Sequence, residues 1–136
     1  MSNFKFSKAS EDNLVDVKDI LVKVVRRGLE ICEVDFGVRE GLRTLQKQRE
    51  NVASGASQTM NSKHLTGEAV DLYPSKLPSD WKTNPYVWMP VLNAIYKAGI
   101  EYGVKLRFGI NWKNDPNLPI ETKFVDAPHV EFVGFI

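Results

Sequence analysis

The sequence has few of the residues that mark the commonest functional sites. Cys32 is its only cysteine, and His64 and His129 are its only histidines. One cysteine can form neither an internal disulfide nor a Cys-x-x-Cys metal site, so we expect Cys32 to be a buried core thiol. A glycine-rich phosphate loop and a serine in a nucleophile-elbow motif are also absent. These absences exclude a disulfide-dependent fold, a phosphate-loop nucleotide site and a serine hydrolase of the elbow type.

Charge and hydropathy argue against two further classes of protein. The 18 basic and 17 acidic side chains leave a formal net charge of +1, which gives no basis for nucleic-acid binding. No apolar run reaches the ~20 residues that a membrane helix needs, and the N-terminal residues lack the pattern of a secretory signal peptide. We therefore expect no membrane insertion, and a protein that stays in the cytoplasm where it is made until something else releases it.

Three helices are predicted from apolar periodicity and capping residues. Apolar side chains at helical spacing predict a first helix from an N-cap at Ser10 to about Ile31. Thr44 is expected to cap a second helix over residues 45–53, and residues 86–103 predict a third.

The strands are predicted to be short and to alternate with these helices. They cover residues 36–43, 68–73, 105–109 and 130–135. Long helices with short strands favour the α+β class, with helices packed on a small antiparallel sheet. A content of 43% hydrophobic and 26% charged residues is typical of a globular protein, and the length fits one domain spanning residues 1–136.

Both histidines occur in motifs rich in metal-binding side chains. The motifs read Ser62-Lys-His64-Leu-Thr-Gly67-Glu-Ala69-Val-Asp71 and Asp126-Ala-Pro-His129-Val-Glu131. His64 lies in a predicted loop and Asp71 on the strand that follows, so both can reach one ion. With His129 they offer three protein ligands, the number that a catalytic zinc takes. Spacing alone leaves open an ordinary loop histidine and an ordinary strand histidine, because nothing local brings the motifs together.

The two motifs resemble the signature of a known peptidase family. Ser62-x-His64-x-x-Gly67-x-Ala69-x-Asp71 followed by Asp126-x-x-His129 is similar to the pattern of the VanY/VanX-like zinc peptidases, which include D,D-carboxypeptidases and L-alanyl-D-glutamate peptidases. The short phage endolysins of the T5 type are the most similar group. The resemblance extends to residues 41–44 and 105–109 and to Trp112. It implies a hedgehog/D,D-peptidase-like fold, with one Zn²⁺ held by His64, Asp71 and His129.

The resemblance also implies a function. We expect a zinc-dependent endolysin that cleaves the L-alanyl-D-glutamate bond of the peptidoglycan stem peptide and so lyses the host cell. It would act as a monomer and reach the cell wall through holin-assisted release. Two alternatives stay open: a D,D-carboxypeptidase that releases terminal D-alanine, and a non-catalytic, zinc-bearing wall-binding domain.

Two carboxylates compete for the role of general base. Asp126 matches the acidic position that serves as base in the family. Residues three apart on a regular strand point to opposite faces, but Pro128 is expected to break the strand and let Asp126 turn toward His129. Glu131 would share the face of His129 on an unbroken strand. We predict that Asp126 is the base and that Glu131 supports the histidine or contacts substrate.

The remaining candidate site residues are predicted to contact substrate. Arg43 stands at a strand-to-helix junction, where it is either a surface arginine or, as the resemblance implies, the group that binds a substrate carboxylate or carbonyl oxygen and helps to stabilise the oxyanion. Ser62 could orient the His64 loop or bind substrate, and Tyr73 and Trp112 could wall the cleft. Residues 56–63 are expected to form the rim of the site. Two tryptophans, Trp81 and Trp88, are assigned to packing.

Overall fold

The fold is built on one small antiparallel sheet. The computed structural model describes residues 2–57 and 59–136. Its strands are β1 (Phe36–Glu40), β2 (Ala69–Pro74), β3 (Val104–Phe108) and β4 (His129–Phe135). They are ordered β1-β2-β4-β3, and every neighbouring pair is antiparallel. The predicted α+β class and antiparallel sheet are therefore confirmed.

Four α-helices and two 3-10 helices accompany the sheet. The α-helices are α1 (Lys8–Asn13), α2 (Asp19–Ile31), α3 (Leu45–Ser54) and α4 (Met89–Glu101), and the 3-10 helices are Lys63–Thr66 and Pro85–Trp88. The predicted N-cap of α3 is confirmed, because Thr44 Oγ1 accepts a hydrogen bond from Lys47 N at 3.1 Å. Gly55 ends the helix in the left-handed region.

The prediction of one continuous first helix was wrong. Ser10 is not its N-cap, because α1 begins earlier and is capped by Ser7, whose Oγ accepts from Ser10 N at 3.1 Å. The Ser10 hydroxyl instead accepts from Val38 N at 3.0 Å, which ties α1 to β1. The chain then turns through Asp16, whose φ is 64°, before α2 starts. Asp16 is a residue type that tolerates this conformation, which a continuous helix excludes.

Helices α2 and α4 cover one face of the sheet. Their apolar stripes pack together and include Leu21, Val24, Val25, Leu92 and Ile95, all 0% exposed. The core side chains of β2 and β4 that they cover are Val70, Leu72 and Val130. Successive strand residues point to opposite faces, so Asp71, His129 and Glu131 project from the other face. That face carries the polar side chains of the candidate site.

The side chains assigned to packing are in the core or next to it. Trp88 is buried and its indole N–H donates to Leu72 O at 2.6 Å. Trp81 is half-buried and packs edge-on against Tyr73. Cys32 is buried, as predicted. Among the described residues, every helix is too short or too polar to cross a membrane.

The turn between α1 and α2 packs closely against Gly67, which yields a first prediction. Gly67 has a φ of 71°, and a Cβ there would lie 2.4 Å from Asp16 O. Gly55 has a similar φ of 81° but nothing within 4 Å of its Cβ position. Gly55→Ala should therefore cost only the left-handed backbone strain, about 1–2 kcal/mol. Gly67→Ala adds a clash with a backbone oxygen and should cost about 1–3 kcal/mol more.

Urea unfolding of the two variants measures this difference. Equal loss of unfolding free energy in both would contradict the close approach of residue 67 to the α1–α2 turn.

Candidate metal centre

Three side chains from separate parts of the chain converge on one point. His64 lies in the 3-10 helix before β2, and Asp71 and His129 oppose each other in the register of β2 and β4. His64 Nε2 lies 3.1 Å from Asp71 Oδ1 and 3.2 Å from His129 Nδ1, and His129 Nδ1 lies 3.6 Å from Asp71 Oδ1. His64 and His129 are buried, so the nitrogen atoms that could bind a metal ion meet inside the protein.

The outer nitrogen of each imidazole ring is held by a hydrogen-bond acceptor. His64 Nδ1 is 2.7 Å from Gly41 O, and His129 Nε2 is 2.8 Å from Glu131 Oε1. A carbonyl and a carboxylate both require an N–H, so we assign the proton of each ring to its outer nitrogen. The inner nitrogens then carry lone pairs directed at each other and at the Asp71 carboxylate. This is the arrangement of metal-binding histidines with supporting acceptors.

The spacing of the three inner atoms fits a small cation. Three lone-pair acceptors in mutual contact repel one another unless a positive charge lies between them. Ligands bound tetrahedrally at about 2.1 Å are roughly 3.4 Å apart. The observed separations of 3.1, 3.2 and 3.6 Å lie around that value. The set of two imidazole nitrogens and one carboxylate oxygen therefore fits a metal ion.

The close contact of these side chains also shifts the pKa values of Asp71 and His129. Burial opposes ionisation of Asp71, but hydrogen bonding to His129 and His64 outweighs it and holds the pKa of this carboxyl well below its usual range. Burial would lower the pKa of His129, but hydrogen bonds to Asp71 and Glu131 raise it to about 9. The shifts of Asp71 and His129 thus share one cause, the contact between their side chains.

Asp126 lies on the wall of a cavity that His64 and His129 also line, three residues before β4 begins. Its backbone N–H donates to Gly109 O at 2.9 Å, and its carbonyl accepts from His129 N at 3.1 Å. This turn at Pro128 brings Asp126 to the side of the sheet that His129 faces, as the sequence predicted. Burial, followed by the negative charge of Asp71, raises the pKa of Asp126 to about 6. Its carboxylate accepts no hydrogen bond from the residues that the structure describes.

Arg43 is held in a network of buried polar groups. Its backbone N–H donates to His64 O at 2.9 Å, and its guanidinium donates to Glu40 through Nε at 3.0 Å and through Nη2. Nη1 donates to Gln48 Oε1 at 2.6 Å, and Nη2 lies 3.8 Å from Asp71 Oδ2. Only 9% of the side chain is exposed, so Arg43 is not an ordinary surface arginine. Its exposed edge lines the cavity.

The cavity beside the three ligands has a volume of about 470 Å³. Ser62 lies on its wall, and its hydroxyl accepts from His64 N at 3.2 Å, so it orients the 3-10 helix that carries His64. Trp112 also lines the cavity, and its ring lies 5.2 Å from that of His129 and stacks on Phe124. Described residues of the predicted rim, among them Ala56, Ser57, Thr59, Asn61 and Lys63, complete the wall. Gln58 lies outside the described residues.

Glu131 and Tyr73 differ in their relation to this cavity. Glu131 lines it and is committed to His129 through the hydrogen bond to Nε2. Burial opposes ionisation of Glu131, but that hydrogen bond outweighs it, so the pKa of Glu131 is lowered. Tyr73 instead lines a neighbouring cavity of about 360 Å³ with Trp81 and Trp88, on the other side of Asp126. The structure therefore does not bring Tyr73 to the cavity that His64 and His129 line.

Sequence reasoning missed two groups that support the site. Gln48 is 0% exposed, and its amide links Arg43 to the rim by donating to Ser57 Oγ at 2.8 Å and to Thr59 O. The large apolar residues of its helix are Leu45 and Val52, which are themselves exposed, so no buried apolar stripe marks Gln48 as buried. The Gly41 carbonyl that holds His64 is a backbone atom, which no side-chain pattern reveals.

Comparison with known proteins identifies relatives that match nearly the whole chain. Residues 1–133 match the family model of the phage L-alanyl-D-glutamate peptidase. The chain is 40% identical over 139 residues to the L-alanyl-D-glutamate peptidase of Escherichia phage T5, with 96% of this chain and 99% of that protein covered. It is 30% identical to the L-alanyl-D-glutamate peptidase of Listeria phage A118 over 97% of its own length, and spans 43% of that protein.

Solved structures give the same relationship. The L-Ala D-Glu endopeptidase ChiX of Serratia marcescens superposes with a TM-score of 0.78 at 33% identity, covering 97% of this chain and 92% of ChiX. The D,D-dipeptidase VanXYg superposes with a TM-score of 0.52 at 17% identity, covering 87% of this chain and 51% of VanXYg, which confirms the expected D,D-peptidase-like fold. On the family model and the identity to the T5 enzyme, the chain belongs to the phage L-alanyl-D-glutamate peptidase family.

Proposed function

We propose that this protein is a zinc-dependent endolysin that hydrolyses the L-alanyl-D-glutamate bond of the peptidoglycan stem peptide. The observation that carries the proposal is the convergence of His64, Asp71 and His129 beside a cavity that is lined by both histidines, Asp126 and Arg43. The relatives named as L-alanyl-D-glutamate peptidases supply the choice of bond. We further propose that the protein acts as a monomer after holin-assisted release.

The side chains of the cavity divide the chemistry among them. His64, Asp71 and His129 would hold the zinc ion. When bound, zinc supplies the Lewis acid that activates water and polarises the scissile carbonyl. Asp126 accepts the proton of the attacking water and returns it to the leaving amine of the glutamate. The exposed edge of Arg43 lines the cavity, and we assign to it the stabilisation of the negative charge that develops on the carbonyl oxygen.

The contacts of the two carboxylates favour Asp126 as the base. Glu131 is engaged by His129 Nε2 at 2.8 Å, so a proton transfer to it would disturb the support of a metal ligand. The carboxylate of Asp126 faces the cavity and accepts no hydrogen bond within the described part of the chain. It is therefore available to accept a proton from water without the loss of another contact.

Digestion of purified peptidoglycan tests the proposed bond. Mass spectrometry should find new L-alanine C-termini on the glycan side and D-glutamate N-termini on the released peptides. A chelator should abolish both products and zinc should restore them. Free D-alanine would instead identify a D,D-carboxypeptidase. A zinc-loaded protein that yields no product from several wall types would favour the binding-domain alternative.

Substitutions at the metal site separate zinc binding from turnover. Asp126→Asn should retain one zinc per chain and lower kcat by about 100-fold or more, because it removes the base but no ligand. His64→Ala should lose both zinc and activity. Zinc content by mass spectrometry of metals and kcat from peptide release measure the two effects.

Glu131→Gln is the matched control for the base. It removes the competing carboxylate while keeping an oxygen that can accept from His129, so its loss of kcat should be much smaller than that of Asp126→Asn. The opposite ranking of the two variants would assign the base to Glu131.

Gln48 should position Arg43, and substitutions at Gln48 can test this. Gln48→Leu leaves Arg43 Nη1 and the rim without their partner, so kcat should fall roughly 10- to 100-fold while zinc stays bound. Limited proteolysis within residues 56–61 should become faster. Gln48→Glu keeps the acceptor for Arg43 but loses the amide donors to the rim. It should therefore recover kcat while the rim stays sensitive to protease.

Gln46→Leu, an exposed change on the same helix, is the control for helix stability. If Gln48→Leu matches Gln46→Leu in kcat and in rim proteolysis, Gln48 does not position Arg43.

A further inference from the structure

The cavity contains more positive charge than the proposed chemistry uses. Three cationic side chains line it: Arg43, Lys63 and Arg107. The proposed function already assigns Arg43 to the oxyanion, and its guanidinium also donates to Glu40 and Gln48. The other two are therefore the cations whose role in the cavity is unexplained.

Arg107 is anchored in a way that leaves its outer donors open. It lies on β3, and its Nε donates to Trp112 O at 3.0 Å while its guanidinium stands over the Trp112 ring at 5.0 Å. These contacts fix the plane of the guanidinium. Nη1 and Nη2 donate no hydrogen bond to any residue that the structure describes, and the side chain is 45% exposed. A fixed guanidinium with two parallel open donors matches the geometry of a carboxylate.

Glu131 does not neutralise this arginine fully. Glu131 Oε2 lies 3.8 Å from Arg107 Nη1, which is beyond hydrogen-bond distance. The other oxygen of Glu131 is bound to His129 Nε2. The carboxylate therefore belongs mainly to the histidine, and the arginine retains most of its capacity for a second anion.

Lys63 adds a second open cation to the same cavity. It precedes His64 in the 3-10 helix and is half-buried on the cavity wall. Within residues 2–57 and 59–136, its ammonium has no hydrogen-bond partner. The ammonium can therefore donate to an acceptor on a bound molecule. An anion bound in the cavity would supply that acceptor.

The chemistry of glutamate provides such an anion beside the scissile bond. Glutamate has two carboxyl groups, and only one of them can continue the peptide chain. The unlinked group remains on the residue whose amine is released by cleavage. The alanine side of the bond carries no charge of its own. A cavity that takes this bond therefore meets one negative charge close to the reacting atoms.

We propose that Lys63 and Arg107 form a carboxylate subsite that binds the unlinked carboxylate of the glutamate next to the scissile bond. This inference rests on the proposed function and names the feature of the substrate that the enzyme selects. The subsite discriminates against stem peptides in which that carboxylate is amidated. A carboxamide has no charge, and its NH₂ group would face the donors of Arg107 and Lys63.

Two probe peptides of equal net charge test the location of the recognised carboxylate. Both are N-acetyl-L-alanyl-D-glutamyl-L-lysine peptides in which the glutamate continues through its side-chain carboxyl. The first has a free glutamate carboxylate and a C-terminal amide, and the second has a glutamate carboxamide and a C-terminal carboxylate. Zinc-loaded Asp126→Asn is titrated with each by calorimetry, because its slow turnover lets binding be measured before the probe is cleaved. The first probe should bind roughly 10- to 100-fold more tightly.

Substitution of either cation should remove this preference. Lys63→Gln and Arg107→Gln, each in the Asp126→Asn background, should weaken binding of the first probe by about 10-fold or more and leave the second unchanged. Lys105→Gln removes a positive charge from the same strand at an exposed position outside this cavity, and should change neither affinity. If Arg107→Gln displaces Trp112 and weakens both probes, Lys63→Gln alone decides the outcome.

The binding measurement tests the carboxylate subsite, and the cleavage measurement tests the proposed function, so either proposal can be overturned without the other. Equal affinity for the two probes, tighter binding of the C-terminal carboxylate, or no binding of either probe overturns the carboxylate subsite. A uniform loss for both probes in Lys63→Gln overturns it as well. Failure of the active protein to cleave the first probe or whole peptidoglycan would overturn the proposed function, and the ratio of the two affinities would still test the subsite.

Discussion

The arrangement of the site depends on the register between β2 and β4. Asp71 opposes His129 in this pairing, and Val70 opposes Val130. Because strand side chains alternate, the same register sends the valines into the core under α2 and α4 and the ligands to the other face. A shift of one residue would bury Asp71 among apolar side chains and expose the valines. The energy of the hydrophobic core therefore fixes the geometry of the candidate metal centre.

The atoms that orient the two histidine rings also come from the sheet or from the residues next to it. Gly41, at the end of the β1 region, supplies the carbonyl that holds His64, and Glu131, two residues along β4, holds His129. Arg43 is joined to the His64 backbone and, through Gln48, to the rim. Each ring therefore has one nitrogen fixed by an acceptor and one directed at the centre. Such preorganisation avoids the cost of ordering ligands when an ion binds.

The sequence predicted the fold class and the N-cap of α3, because each depends on local patterns. The convergence of His64, Asp71 and His129 was implied by the family resemblance and not by spacing alone; the structure brings the three side chains together, and their role as zinc ligands stays a prediction. The break between α1 and α2 could not be predicted in this way, since it depends on the approach of Asp16 to Gly67, far along the chain. The burial of Gln48 could not be predicted either, because it depends on hydrogen bonds to Arg43 and to the rim, which the sequence around Gln48 does not show. Tyr73 shares a strand with Asp71, yet the aromatic cluster with Trp81 and Trp88 places it in another cavity.

The most direct test of the account is a crystal structure of the zinc-loaded protein with anomalous diffraction at the zinc edge. The account predicts one ion bound by His64 Nε2, Asp71 Oδ1 and His129 Nδ1, at about 2.0–2.2 Å from each, with Gly41 O and Glu131 still on the outer nitrogens. The use of a different nitrogen on each ring is specific to this geometry. An ion coordinated through the outer nitrogens, an ion held elsewhere, or no zinc peak in the cavity would contradict it.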